Sequence, residues 1–155
     1  MKSHDITEWR SQVNNAGVMT CPKWKTEDGF DMQLGTNHLG HFLLTELLTP
    51  LLKKSAASGF RPRIVIVSSV AHEVGAMNWE DLNWEKNYDK NKSYAQSKLA
   101  NVLHAKELAR RLEDTGISVY RVVRHDFTLK SNMVFKTCFC FLFTSIHNTF
   151  FECSM

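Results

Sequence analysis

An α/β fold with a parallel sheet is the architecture this sequence predicts. Ile64-Val65-Ile66-Val67 is an unbroken β-branched run ending in Ser68 and Ser69, the composition of a strand buried on both faces. Long stretches with apolar residues at helical spacing lie before and after it. A second strand, Ile117-Ser118-Val119-Tyr120, opens after the second of these helices. At 155 residues the chain is long enough for one domain with a real core, and 43% hydrophobic against 23% charged residues is ordinary for a globular protein. The net charge of +3 is too small and too scattered to argue for a nucleic-acid partner.

Residues 1–12 are polar and mixed, with Trp9 the largest apolar group, and no signal peptide or N-terminal membrane anchor is expected there. Glu8-Trp9-Arg10-Ser11-Gln12-Val13 lacks the continuous apolar run of a buried parallel strand. From Thr26 the pattern is helical, with Thr26 as N-cap and Glu27 and Asp28 in the first turn, where the helix dipole favours negative charge. Phe30, Leu34, Leu39, Phe42, Leu43, Leu47 and Leu51 predict one buried stripe. Asn37 falls inside this helix despite its poor propensity. His38 and His41 read as packing or surface residues rather than metal ligands, since no third ligand stands at a suitable spacing.

Residues 55–62 predict a loop, and Ser68 and Ser69 end the central strand at its carboxyl end, where open α/β sheets bind their ligands. The stretch Asn78-Trp79-Glu80-Asp81-Leu82-Asn83-Trp84 fits a substrate mouth or ordinary loop packing equally well. The next helix is expected to run to about Glu113, with Ala95, Leu99, Val102, Ala109 and Leu112 on one face and Gly116 as the stop. Within it, Tyr94 and Lys98 are four residues apart and leave one face. An ammonium beside a phenol favours the phenolate, which exchanges protons with an alcohol or a carbonyl. Taken alone, the pair reads first as a half-buried tyrosine and a solvated lysine, since chance supplies Y-x-x-x-K often.

Beyond Asn132 the composition shifts, with six of the ten phenylalanines and three of the four cysteines in residues 135–155. The run Cys138-Phe139-Cys140-Phe141-Leu142-Phe143 is too short to span a bilayer. Cys138, Cys140, His147 and Cys153 are not expected to hold zinc, because C-x-C lacks the usual gap. Four cysteines with Cys21 standing alone do not make a disulfide framework, so a reducing compartment is the default.

Asn14-Asn15-Ala16-Gly17, Asn37-His38-Leu39-Gly40-His41-Phe42, Val67-Ser68-Ser69 and Tyr94-Ala95-Gln96-Ser97-Lys98 follow one another in an order that resembles the short-chain dehydrogenase/reductase family. Thr26-Glu27-Asp28-Gly29-Phe30, Ser97-Lys98-Leu99-Ala100-Asn101-Val102-Leu103 and Glu107-Leu108-Ala109-Arg110-Arg111-Leu112 are similar to its retinol dehydrogenase-like branch. The resemblance covers about residues 13 to 120 and implies a Rossmann-type, doubly wound parallel sheet, here partial. The glycine-rich turn that grips pyrophosphate and the first two βαβ units have no counterpart, nor does the Pro-Gly turn expected near Tyr120-Arg121-Val122-Val123-Arg124. The sequence therefore reads as a truncated chain: a divergent segment over residues 1–12, a partial dehydrogenase domain over 13–124, and a non-homologous Phe/Cys-rich tail over 125–155.

The resemblance implies a catalytic set of Asn37, Ser69, Tyr94 and Lys98. Ser69 would bind the substrate oxygen. Asn15, Ala16 and Gly17, with Tyr94 and Lys98, would bind the cofactor, NADP or NAD. No metal is implied. The implied substrate is a lipophilic small-molecule alcohol or carbonyl, retinol or retinal in that branch. A homodimer through the helices bearing Asn37 and Tyr94 is a further implication, and complete relatives are often associated with the endoplasmic reticulum membrane. The contrasting expectation is a catalytically inactive fragment that acts through binding a partner.

Overall fold

The computed structural model describes residues 8–124. The Phe/Cys-rich tail, with Cys138, Cys140, His147 and Cys153, lies outside the described residues. Three strands, β1 (Ser11–Asn14), β2 (Arg63–Ser69) and β3 (Ser118–Arg124), form a sheet in the order β1-β2-β3 with both pairings parallel. The helical segments are α1 (Met32–Leu34), a π-helical turn (Gly35–Leu39), α2 (Gly40–Ala57) and α3 (Lys90–Arg111). The crossover from β1 to β2 carries α2, and the crossover from β2 to β3 carries α3, as parallel neighbours require. Among the described residues no helix is long and apolar enough to cross a membrane.

Both long helices pack on one face of β2. Leu52 of α2, Ile64 and Ile66 of β2, Ala105 and Leu108 of α3, then Leu112 and Ile117 form a single buried cluster. Leu52 and Ile64 are fully buried, so Leu52→Ala leaves a cavity that its neighbours only partly fill. The expected cost is about 2–5 kcal/mol of unfolding free energy, read as a lower urea midpoint. Leu47→Ser, on an exposed part of α2, is the control and should stay within about 0.5 kcal/mol.

The opposite face of the sheet is also apolar. Val13, Val65 and Tyr120 are paired in one row, and Val67 and Val122 in the next. Val13, Tyr120 and Val122 are exposed in this arrangement. Strand β1 therefore turns polar side chains inward and an apolar one outward. Its formation against the sequence expectation has a clear cause. Gln12 and Asn14 are buried, and both side-chain amides donate to the Thr45 hydroxyl of α2, at 2.8 and 3.0 Å. The strand is anchored by hydrogen bonds where an apolar run was sought.

Helix formation begins later than Thr26. Residues 26–29 make a turn closed by the Gly29 N–H donating to the Thr26 carbonyl, with Gly29 at φ 83°, a conformation suited to glycine. The N-cap is Asp31, whose carboxylate accepts from the Leu34 N–H at 2.9 Å. The expected buried stripe also breaks, since Phe42, Leu43 and Leu47 are exposed while Leu34 and Leu52 are buried. On α3 the buried apolar face runs through Ala105 and Leu108 rather than Ala109, which is exposed. Gly116 ends that segment at φ 74°, and the strand expected to open at Ile117 runs as β3 from Ser118 to Arg124.

Candidate active site

Asn37 lies in the π-helical turn, fully buried. Such turns widen a helix locally and are frequent at functional sites. Its side chain is held by three bonds. The carbonyl accepts from the Val18 N–H at 2.8 Å, and the amide donates to the Val18 carbonyl and to the Ser97 hydroxyl, both at 2.9 Å. Ser97 in turn donates to the Tyr94 carbonyl. Asn37 therefore ties the segment after β1 to the turn of α3 that carries Tyr94.

The main-chain carbonyl of Asn37 accepts from the Asn101 amide at 2.9 Å, and the same amide donates to the Val67 carbonyl at 3.1 Å. Asn101 Oδ1 meets His38 Nδ1 at 3.0 Å. One buried asparagine thus joins the π-helical turn, α3 and β2. Ser68 fastens the last strand turn to α3 by donating to the Lys98 carbonyl at 2.8 Å. Ser69, next along, caps the 3₁₀ turn Val70–Val74 by accepting from the Ala71 N–H, and the His72 ring lies 2.6 Å from its carbonyl.

Lys98 is buried, 6% exposed, with its ammonium 5.6 Å from the centre of the Tyr94 ring. Burial, and secondarily the positive charge of Arg124, lower its pKa to about 8. Gly17 lies against this group: a Cβ there would stand 3.1 Å from Asn37 Oδ1 and 3.5 Å from Lys98 Nζ. Asn15, Ala16 and Gly17 are exposed. The structure therefore brings Gly17, Asn37, Tyr94 and Lys98 together directly, and it connects Ser69 to them through its neighbour Ser68.

His38 and His41 are half-buried, and burial lowers the pKa of both, against the raising effect of their hydrogen bonds to Asn101 and to the Asn37 carbonyl. Among the described residues no group of three or more His, Cys, Asp or Glu side chains is placed to hold a metal ion.

Sequence reasoning assigned no task to Ser93, Ser97 or Asn101. All three are buried on α3 at four-residue spacing. Ser93 donates to Asp31 Oδ1 at 2.8 Å and so carries the same polar seam back to the N-cap of α1. A stripe of small polar residues at helical spacing was the signal that could have found them.

The profile of the short chain dehydrogenase family matches residues 11–125, and the chain belongs to that family. It is 55% identical over 121 residues to Retinol dehydrogenase 14 of Mus musculus, covering 78% of this chain and 34% of that protein. It is 56% identical over 108 residues to Retinol dehydrogenase 13 of Homo sapiens, covering 69% and 31%. The chain thus spans about a third of the length of these curated relatives. A crystal structure of an uncharacterised protein from Mycobacterium paratuberculosis superposes with a TM-score of 0.66 at 45% identity, over 78% of this chain and 42% of the other. The RhlG/NADP complex of Pseudomonas aeruginosa, at 23% identity and TM-score 0.54 over 75% and 42%, shares the fold. The parallel sheet with its crossover helices is the α/β, Rossmann-type architecture that the resemblance implied.

Proposed function

We propose that this chain carries the proton-handling half of a nicotinamide-dependent oxidoreductase that interconverts lipophilic alcohols and carbonyls, with retinol and retinal as the substrate pair. The observation that carries the reading is the meeting of Gly17, Asn37 and the Lys98 ammonium one helical turn from Tyr94. In the oxidative direction Tyr94, as phenolate, takes the hydroxyl proton of the substrate. Lys98, its ammonium 5.6 Å from the centre of the Tyr94 ring, holds ribose hydroxyls. Ser69 orients the substrate oxygen, and Asn37 anchors a water in the relay.

The exposed segment Asn15, Ala16 and Gly17 at the carboxyl end of β1 fits a nucleotide, because Gly17 has no side chain to fill the space before Lys98. These three residues form a floor for the adenosine ribose, while Tyr94 and Lys98 hold the nicotinamide end. NADP or NAD, when bound, supplies the hydride acceptor or donor.

The test replaces the matching segment of a retinol dehydrogenase with residues 11–124 of this chain. Retention of NADP(H)-dependent retinol–retinal interconversion is the expected result. A chimera that folds and binds the cofactor yet turns over no retinoid would overturn the reading.

A second reading, a chain that acts through association without turnover, has its own support. Leu43 and Leu47 of α2 are 59% and 66% exposed, and Leu103 of α3 is exposed as well. Phe42 and Glu46 of α2 and Leu103 and His104 of α3 line a groove of about 370 Å³. Such a face suits a homodimer through α2 and α3, the helices next to Asn37 and bearing Tyr94.

A further inference from the structure

Asn101 is 1% exposed and stands about one turn beyond Lys98 on α3. Its amide donates to two main-chain carbonyls on different elements, Asn37 of the π-helical turn at 2.9 Å and Val67 of β2 at 3.1 Å. Carbonyls only accept, so these two contacts fix which way the amide faces. Its oxygen then meets His38 Nδ1 at 3.0 Å, and that ring nitrogen carries the hydrogen between them. The segments so joined bear the proposed proton relay. Asn37 belongs to it, Val67 lies two residues before Ser69, and Lys98 lies three residues before Asn101.

The contact with Asn37 falls where the helix departs from regular winding. The Gly35 N–H reaches back four residues to the Asp31 carbonyl, whereas the Gly40 N–H reaches back five, to the Gly35 carbonyl. A side chain that enters the main-chain ladder is one cause of such a departure. Asn101 supplies the Asn37 carbonyl from outside the helix, and His41 Nδ1 lies 3.2 Å from the same oxygen. Within the widened turn the Asn37 side chain meets Val18 and Ser97, where its three bonds form.

We propose that Asn101 is a positioning residue, which holds the π-helical turn against the carboxyl half of β2 and so sets the aim of the Asn37 side chain. It acts through Asn37 rather than on a reacting group. The inference rests on the reading above for the task given to Asn37.

The Val18 N–H donates to Asn37 Oδ1, so its hydrogen exchange in the full chain reports the aim of Asn37. Asn101→Leu, close in volume and without polar side-chain atoms, should speed exchange at Val18 about tenfold relative to the amides of β2, the factor that corresponds to one net hydrogen bond. Leu52→Ala weakens the core away from this seam and should not produce that preference. Where Asn101→Leu does not fold, Asn101→Ser is read in the same way, its hydroxyl being too short to reach both carbonyls. In the chimera with a retinol dehydrogenase, Asn101→Leu should lower kcat about tenfold while the KM for NADP(H) stays nearly unchanged. Exchange that rises equally at Val18 and in β2, no change at Val18, or an unchanged kcat in an active chimera would each overturn the inference. An inactive parent chimera would refute the hydride-transfer reading, and the exchange measurement would still decide this one.

Discussion

Tyr94→Phe, made in the chimera with a retinol dehydrogenase, is expected to abolish retinoid turnover while cofactor affinity stays nearly unchanged. The substitution removes one oxygen and leaves the ring that faces Lys98 at 5.6 Å. General acid–base groups contribute about 10²–10⁴ in rate, equivalent to about 3–5 kcal/mol of the barrier. The ring is held independently of its hydroxyl, because the Tyr94 backbone is fixed through Ser97 to Asn37. Loss of turnover with binding intact therefore isolates the proton transfer from positioning. A rate left unchanged by Tyr94→Phe would show that this residue is not the acid–base group.

Lys98→Met is expected to stabilise the fold and stop the chemistry together. Burial lowers the Lys98 pKa from 10.5 to about 8, so the folded chain holds this proton less tightly than the unfolded chain. Below pH 8 both states are charged and the full penalty of burying the ammonium is present. Between pH 8 and 10.5 the unfolded chain binds more protons, and stability from this group rises with pH. Above 10.5 the penalty is gone. The gap corresponds to about 3 kcal/mol at neutral pH. Urea unfolding should therefore show Lys98→Met more stable than wild type at pH 7, with the advantage shrinking toward pH 11. Activity that depends on the charged amine should fall in the wild type as pH rises through about 8. A variant no more stable at pH 7 would mean that the ammonium carries no such penalty.

Much of this molecule was legible in its sequence, and the failures have physical causes. Ile64 to Val67 announced a strand because a β-branched run buried on both faces has few other uses. Strand β1 was hidden because the buried Gln12 and Asn14 side-chain N–H groups donate to Thr45, a residue 31 to 33 positions away. No local pattern reports such a partner. The start of the helical segment was misplaced because Thr26 does cap by hydrogen bond, accepting from the Phe30 N–H, but within a turn that Gly29 closes. Asn37 was found only through its motif, since its propensity speaks against a helix interior and its bonds are all long-range or to the backbone of another segment. Asn101 and Ser97 went unassigned because a helix periodicity scored on apolar residues passes over a buried polar stripe. The exposure of Phe42, Leu43 and Leu47 could not be read at all, because a stripe has the same spacing whether or not something covers it.

The π-helical turn at Gly35–Leu39 also acts as a phase shifter. An α-helix advances by about 100° per residue, so the extra residue accommodated in a π turn rotates everything after it relative to everything before. Upstream, Asp31 and Gln33 keep their bonds to the start of α3, and downstream Thr45 keeps its bonds to β1. A one-residue deletion inside this turn would restore a regular helix and force a choice between these two sets of anchors. Insertions and deletions in this short segment are therefore far more consequential than substitutions, and its length, more than its composition, is what the fold has to preserve.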